Sequence, residues 1–372
     1  MLQITLQGKL FILTAALQQS EDEMNNQTAS DQPVKNQTMN ALVYTDTQEI
    51  TYRAEPLPIA RSGDVIMNVT ATAICGSDMH AYHGKDSRRV PPLILGHEVS
   101  GTVLDGRYAG QRMVINPLMT CGECNYCVGG QSNLCLKREL IGMYLSGAFA
   151  DQVAISERNL LALPIDMNPI HAALTEPTAT ALHAVRLVER ALIRPLSESR
   201  CLVLGGGAIG LLTALILKAK GCQAIDIAET NTLRRRSIEN LNIARCFNPI
   251  DESIPHLAGY HLVLDCVGSG ATRRTASEAV QPGGIISHLG LQDEKEGLDT
   301  RKLTLQEVTL IGNYCYTRAD LQASIDMLYN KQLGDLSWLE VRALSEGGQA
   351  FKDLHNGQVA AAKIVLQPDH LM

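Results

Sequence analysis

From Met39 onward, apolar and polar positions alternate in short runs broken by glycine and proline. Met39-Asn-Ala-Leu-Val-Tyr44 reads as a first strand, and Val65 to Ile74 and His97 to Leu104 follow with similar strand patterns. Dense turn punctuation continues to about Thr180, as a partly open β-barrel requires. Then the period changes. Cys201 to Leu204 is the unbroken apolar run of a buried strand, and Ala208 to Lys220 reads as a helix closed by Gly221. Ala224 to Glu229, His261 to Val267, Ile285 to Leu291 and Glu307 to Ile311 read as further strands, with helical segments between several of them. That alternation predicts an α/β fold with a doubly wound parallel sheet beside the barrel. No internal repeat is visible.

The chain has 372 residues, 45% hydrophobic and 19% charged, which suits two globular domains that each bury a core. No apolar run reaches the roughly 18 residues that span a bilayer. The formal charge of −7 and the absence of a basic stretch offer no phosphate footprint, so no nucleic-acid partner is expected. One tryptophan and four phenylalanines leave little for base stacking. Residues 1–38 hold one short apolar stretch, Leu10 to Leu17, behind Lys9, followed by a polar run to Thr38. A signal peptide has this order, but the charged region is thin and the cleavage site poor. The segment is read as a disordered extension or the product of an upstream start codon.

Ten cysteines are too few for a disulfide scaffold in so long a chain, and four of them fall within 15 positions. Cys121-Gly-Glu-Cys124-Asn-Tyr-Cys127, with Cys135 eight residues later, has the spacing of a tetrahedral zinc site with thiolates about 2.3 Å from the metal. Four protein ligands leave no open position, so this zinc is expected to be structural. The bland reading is four free thiols on a loop. A second set is scattered: Cys75 in Cys75-Gly-Ser-Asp-Met-His80, His97-Glu98 after Gly96, and Glu176 in Thr175-Glu-Pro-Thr-Ala-Thr180. Singly, each is an ordinary core or polar residue. Together they offer a thiolate, an imidazole and one or two carboxylates, and a catalytic zinc needs three ligands and one open position.

Gly205-Gly-Gly207-Ala208-Ile209-Gly210 directly follows the Cys201 to Leu204 strand and opens a helix, the context that a dinucleotide-binding fingerprint requires. Gly205 makes the turn, Gly207 admits a pyrophosphate and Gly210 lets helix and strand pack closely. The helix N-terminus then faces the phosphates. Glu229, ending the next strand, stands where a carboxylate binds the adenosine ribose and repels a 2′-phosphate, favouring NAD over NADP. Arg234, Arg235 and Arg236 open the next helix, either as a solvated face or as ligands of such a phosphate.

With these motifs in this order, the chain from about Met39 to Gln367 resembles the zinc-containing medium-chain dehydrogenase/reductase family. The resemblance implies a GroES-like catalytic domain, interrupted by a Rossmann domain and completed at the C-terminus. It divides this chain at 39–185, 186–320 and 321–372. It assigns Cys75 and His97 to a catalytic zinc. Glu98 matches the acidic residue that ligates that zinc or exchanges with water, and which of Glu98 and Glu176 is bound at rest stays open. The Glu-Pro segment resembles sorbitol, threonine and related polyol dehydrogenases, where the alcohol dehydrogenases have a cysteine. Ser77 and His80 match the proton-relay positions. The cofactor set becomes Gly205, Gly207, Ala208, Ile209, Gly210, Glu229, Arg234, Val267 and Leu289.

The resemblance also implies a reversible alcohol/ketone interconversion with two zinc ions per chain. Zinc lowers the pKa of bound water from about 16 to about 7, and a bound alcohol is acidified in the same way. Ser77 passes the proton through the nicotinamide ribose to His80, and hydride goes to NAD⁺. A loop hydroxyl capping nearby backbone is the bland alternative for Ser77, and His83 could replace His80. Asp78 is read as structural or as a support for the metal ligands. A cytoplasmic homo-dimer or homo-tetramer acting on a small alcohol, polyol or ketone completes the implied picture. A zinc- and NAD-binding regulatory or structural protein without turnover is the competing reading, and a zinc-free reductase of the same fold a second. Tyr82, Leu118, Tyr144 and Tyr314 are candidate pocket-lining residues.

Overall fold

The computed structural model describes residues 37–372. The reading of residues 1–38 as a disordered extension therefore lies outside the described residues, except that Thr38 already opens a strand, β1 (Thr38–Asp46). One sheet of the first domain has at its centre β2 (Asp64–Ala73), which pairs antiparallel with β3 (Glu98–Val103) and with the C-terminal strand β14 (Lys363–Gln367). Around them lie β4 (Arg112–Ile115), β5 (Gln152–Ser156), β6 (Leu160–Ala162) and β13 (Leu339–Ala343). Alternate burial along β2, with Val65, Met67, Val69 and Ala71 inside, is the two-residue period seen in the sequence.

The second sheet has six parallel strands in the order β9 (Arg245–Phe247), β8 (Ala224–Ala228), β7 (Arg200–Leu204), β10 (Tyr260–Asp265), β11 (Val280–His288), β12 (Thr309–Gly312). This is the doubly wound order whose reversal, between β7 and β10, opens a ligand crevice at the carboxyl ends of the strands. Cys201, Leu202, Val203 and Leu204 are all at most 1% exposed, because helices cover both faces of a parallel strand. Helix α3 (Ala208–Ala219) buries eight of its residues, six of them in the same apolar core as α2 (Thr175–Ala191). Helix α4 (Thr232–Asn240) follows β8, and α5 (Arg318–Tyr329) packs against α2.

Helix α2 runs through residue 185, where the resemblance placed the first domain boundary, so one helix serves both halves. The C-terminal return is visible as β13 and β14 joining the β2–β3 sheet. No helix of the described residues is long and apolar enough to cross a membrane.

Candidate active site

Register brings three of the four scattered residues together. Ala73 pairs with Glu98 across β2 and β3, and with Val365 across β2 and β14. Continuing these antiparallel registers past Ala73 brings Cys75, His97, Glu98 and Lys363 to one end of the sheet. The ligand atoms of Cys75, His97 and Glu98 lie within 4.8 Å of one another. His97 and Glu98 are buried. Glu98 Oε1 accepts from the buried Lys363 Nζ at 2.7 Å, and that ammonium also donates to Ile74 O at 2.9 Å. Glu98 Oε2 is left without a partner.

Helix α1 (Gly76–Tyr82) starts at Cys75 because Asp78 Oδ2 accepts the Cys75 N–H at 3.0 Å. Asp78 Oδ1 then faces His97 Nδ1 at 3.6 Å, which leaves the other ring nitrogen for a metal. Burial alone would lower the His97 pKa, but Asp78 and Cys75 more than offset this and hold it well above the usual imidazole value. A place that attracts an extra positive charge, with a thiol, an imidazole and an unpartnered carboxylate oxygen around it, suits a divalent cation such as zinc.

Glu176 is in the first turn of α2, half-buried, and outside the tight three-residue group. Burial, reinforced by Glu98, pushes its carboxyl up to about 7 against the opposing pull of His97 and Tyr316. Tyr316 Oη, buried and otherwise unpartnered, faces it. No hydrogen bond from the Glu176 side chain to the helix N-terminus is present among the described residues. Ser77 and His80 are one turn apart on α1, and burial lowers the His80 pKa. His83 is engaged elsewhere, with its Nε2 2.9 Å from His355 Nδ1.

The four-cysteine loop has Sγ separations of 3.9 Å for Cys121–Cys127, 3.5 Å for Cys124–Cys127 and 3.6 Å for Cys135–Cys121. A tetrahedron with 2.3 Å arms has edges of about 3.8 Å, so the cage has the size that zinc needs. Backbone N–H groups of Glu123 and Cys124 donate to Cys121 and pull its thiol down to about 6. Against the pull of the Cys127 N–H, desolvation and the neighbouring thiols push Cys124 up to about 11, so of this pair Cys121 reaches the metal-binding thiolate form first. The lobe touches the second domain. Asn133 Nδ2 donates to Tyr314 O at 2.9 Å, and the Arg138 guanidinium lies 4.5 Å from the centre of the Tyr314 ring.

Each glycine of the loop has its own reason. Gly205 has φ +93°. A Cβ at Gly210 would lie 1.8 Å from Gly205 O, whereas one at Gly207 would meet nothing within 4 Å. Gly207 is the N-cap of α3 and no side chain caps that terminus, which leaves an open cradle of N–H groups for a pyrophosphate, with Ala208 and Ile209 as the first turn. Val267 and Leu289 follow the carboxyl ends of β10 and β11, and Val267 packs against Gly205. Glu229 Oε2 accepts the Gly206 N–H at 2.9 Å and Oε1 the Asn231 N–H at 2.7 Å.

Some expectations change. Arg234 and Arg235 are not a solvated face: Arg234 pairs with Glu229 at 3.3 Å, and Arg235 donates to the carbonyls of Glu229 and Thr230. Tyr82 and Leu118 are 3% exposed core residues, because Tyr82 stacks on Phe351 and Leu118 joins the inter-helix core. Tyr144 is half-exposed, and Tyr314 lines a cavity of about 840 Å³ between the cysteine lobe and α2, which none of Cys75, His97 or Gly205 lines. Lys363, Tyr316 and Arg89 are additions to the expected set. All three reach the site through tertiary contacts that no local spacing announces.

A six-stranded parallel sheet thus stands beside a β-rich domain that carries two cysteine-containing groups able to hold a metal ion. Residues 61–165 match the alcohol dehydrogenase GroES-like domain, and residues 208–330 match the zinc-binding dehydrogenase domain. The chain belongs to the zinc-containing medium-chain dehydrogenases. It is 28% identical to 2-dehydro-3-deoxy-L-galactonate 5-dehydrogenase of Pseudoalteromonas atlantica, over 79% of this chain and 89% of that one. It is also 28% identical to (R,R)-butanediol dehydrogenase of Saccharomyces cerevisiae, over 89% and 99% of the two chains. A protein from Sinorhizobium meliloti 1021 assigned as a zinc-binding dehydrogenase, solved with NADP, superposes with a TM-score of 0.77 at 26% identity, covering 89% of this chain and all of that one.

Proposed function

We propose that the chain is a zinc-dependent dehydrogenase that moves hydride between NAD and a secondary alcohol or polyol, interconverting alcohol and ketone. The observation that carries this is the grouping of Cys75 with the buried His97 and Glu98, with an unpartnered carboxylate oxygen and an imidazole backed by Asp78. When bound, zinc supplies a Lewis acid for a substrate oxygen, and NAD supplies the hydride acceptor. Cys75 and His97 would hold that zinc with Glu98 or Glu176, and Cys121, Cys124, Cys127 and Cys135 a second, structural one. Ser77 Oγ accepts the hydroxyl proton and hands it outward towards His80. Gly205, Gly207, Ala208, Ile209 and Gly210 hold the pyrophosphate, Val267 and Leu289 flank the coenzyme, and Glu229 takes the adenosine ribose with Arg234 beside it.

Glu176 favours polyols. A carboxylate is a harder and more readily exchanged ligand than a thiolate, so it yields to a substrate oxygen, and a vicinal diol has two. The named activities of the two relatives, a sugar-acid and a diol dehydrogenase, agree with that class. A homo-oligomer, dimer or tetramer, is part of the reading. Leu310, 44% exposed, lies in β12 at the open edge of the parallel sheet, where a second copy would cover it. Cytoplasmic residence fits the need for reduced thiolates at both cages. Nicotinamide absorbance with L-galactonate, L-threonine, 2,3-butanediol and simple secondary alcohols, each with NAD and NADP, tests the proposal. Turnover of a polyol with NAD is expected. Coenzyme binding with no turnover of any of them would point instead to a regulatory protein.

A further inference from the structure

Arg89 is a buried cation to which the proposed mechanism gives no part. Its side chain is fully buried, in the segment leading from α1 towards β3. Nε donates to Gly142 O at 2.9 Å, and Nη1 pairs with Asp86, a carboxylate that Arg88 also grips. Nη2 donates to Ser77 Oγ at 3.2 Å and lies 4.0 Å from Asp78 Oδ1. A guanidinium is planar and forked, so anchoring Nε and Nη1 fixes the direction in which Nη2 points. The anchors are a backbone carbonyl 53 residues away and a carboxylate three residues away, and neither belongs to the metal site.

A serine hydroxyl has one proton to donate and two lone pairs to accept with. Arg89 occupies one lone pair of Ser77. One lone pair remains for an incoming substrate hydroxyl, and the serine's own proton is left to be donated outward. We propose that Arg89 is a positioning residue for the proton relay, fixing Ser77 so that it accepts from substrate as it donates towards the coenzyme ribose and His80. The inference rests on the proposed role of Ser77. In each oxidation one proton enters Ser77 Oγ and one leaves it, so the serine stays neutral while hydride passes from carbon to NAD⁺. The positive charge of Arg89 beside that oxygen also favours the moment at which the outward proton has left first. Asp78 joins this to the metal side, because the carboxylate facing His97 is the one Arg89 approaches.

The test is Arg89→Lys, alone and with Ser77→Ala, assayed with whichever of L-galactonate, L-threonine and 2,3-butanediol wild type turns over fastest. Lysine keeps the charge but cannot reach Gly142, Asp86 and Ser77 together. Zinc content by elemental analysis and NADH affinity by fluorescence should stay within about twofold of wild type. The value of kcat should fall about tenfold or more, and the solvent deuterium isotope effect on kcat should rise, as proton transfer becomes limiting. In the Ser77→Ala background the same substitution should change kcat less than about twofold. Equal losses in both backgrounds, an unchanged kcat, or loss of zinc or NADH binding would overturn the proposal. A Ser77→Ala enzyme with wild-type turnover would instead sink the relay reading itself. Should Arg89→Lys not fold, Asp86→Asn releases one anchor of the guanidinium and should give a smaller loss of the same kind, again absent without Ser77. An Asp86→Asn loss that persists without Ser77, or no loss at all, contradicts the proposal.

Discussion

Glu229 holds two backbone N–H groups and one guanidinium with a single carboxylate, and the coenzyme ribose would compete for the same oxygens. On the proposed reading, selection against NADP would be a charge effect, with an arginine already beside the carboxylate. Glu229→Ser should raise the NADP-to-NAD ratio of kcat/KM by about tenfold or more, equivalent to about 1.4 kcal/mol, by removing repulsion and freeing Arg234. NAD affinity should fall as well, since Gly206 and Asn231 lose their acceptor. A wild-type enzyme that already prefers NADP contradicts this account of Glu229. Glu176 is the other informative carboxylate. Glu176→Gln keeps the shape but weakens metal binding or its exchange, so catalytic-zinc occupancy and diol turnover should both fall while thermal stability changes little. Zinc content and turnover at wild-type levels would remove Glu176 from the metal environment.

Among the elements, the contact between α2 and α5 has the clearest pH dependence. Asp320 accepts from Thr317 N–H at 2.9 Å and from its hydroxyl at 2.7 Å, and it meets His183 at 2.8 Å and Arg186 on α2. Burial alone would raise its pKa, but these partners hold it well below the ordinary carboxylate range. The unfolded chain, with an aspartate near the ordinary value of about 4, takes up the proton first as pH falls. The stability from this clamp is thus complete above about pH 5 and drains away below it. Asp320→Asn should cost about 2 kcal/mol at neutral pH and flatten the fall in denaturation midpoint between about pH 5 and pH 3. An unchanged acid slope would mean that another carboxylate dominates.

The strands and the glycine loop can be read from sequence because each is a local pattern. Val65 to Ala71 alternates as a half-buried strand must, and Gly205 and Gly210 stand where a positive φ and a close backbone approach require glycine, with Gly207 as the N-cap between them. The partners of the site are hidden for the opposite reason. Lys363 meets Glu98 across 265 residues and Asn133 meets Tyr314 across 181, and such contacts exist only once the registers are known. The arginine run at 234–236 misleads because a charge run is usually solvated, whereas here the loop between β8 and α4 turns two of the arginines back onto it. Tyr82 resembles a pocket residue only because it follows the relay segment, and its ring belongs to the core.

Across the whole molecule, the two groups proposed to hold zinc, the cysteine lobe and the Cys75 end of the β2–β3 sheet, differ in closure as well as in ligand chemistry. Four sulfurs enclose the lobe site on every side. Cys75, His97 and Glu98 supply three ligand atoms, which would leave a bound zinc one open position, and Lys363 holds the carboxylate. An open site exchanges its metal more readily than a closed one. The lobe is also wired to the centre, since Asn133 and Arg138 hold Tyr314, two residues before the Tyr316 that faces Glu176. Loss of the lobe metal should therefore damage both folding and turnover, whereas loss of the other should stop turnover with the fold intact.

Stepwise chelation of the purified protein tests the central claim most directly, with zinc, NADH formation and circular dichroism followed in the same samples. The account predicts two zinc ions per chain at the start. One should leave first, with turnover falling in proportion and secondary structure preserved, and the second should leave only with unfolding. A single zinc per chain, two that depart together, or turnover that survives loss of the labile metal would contradict it.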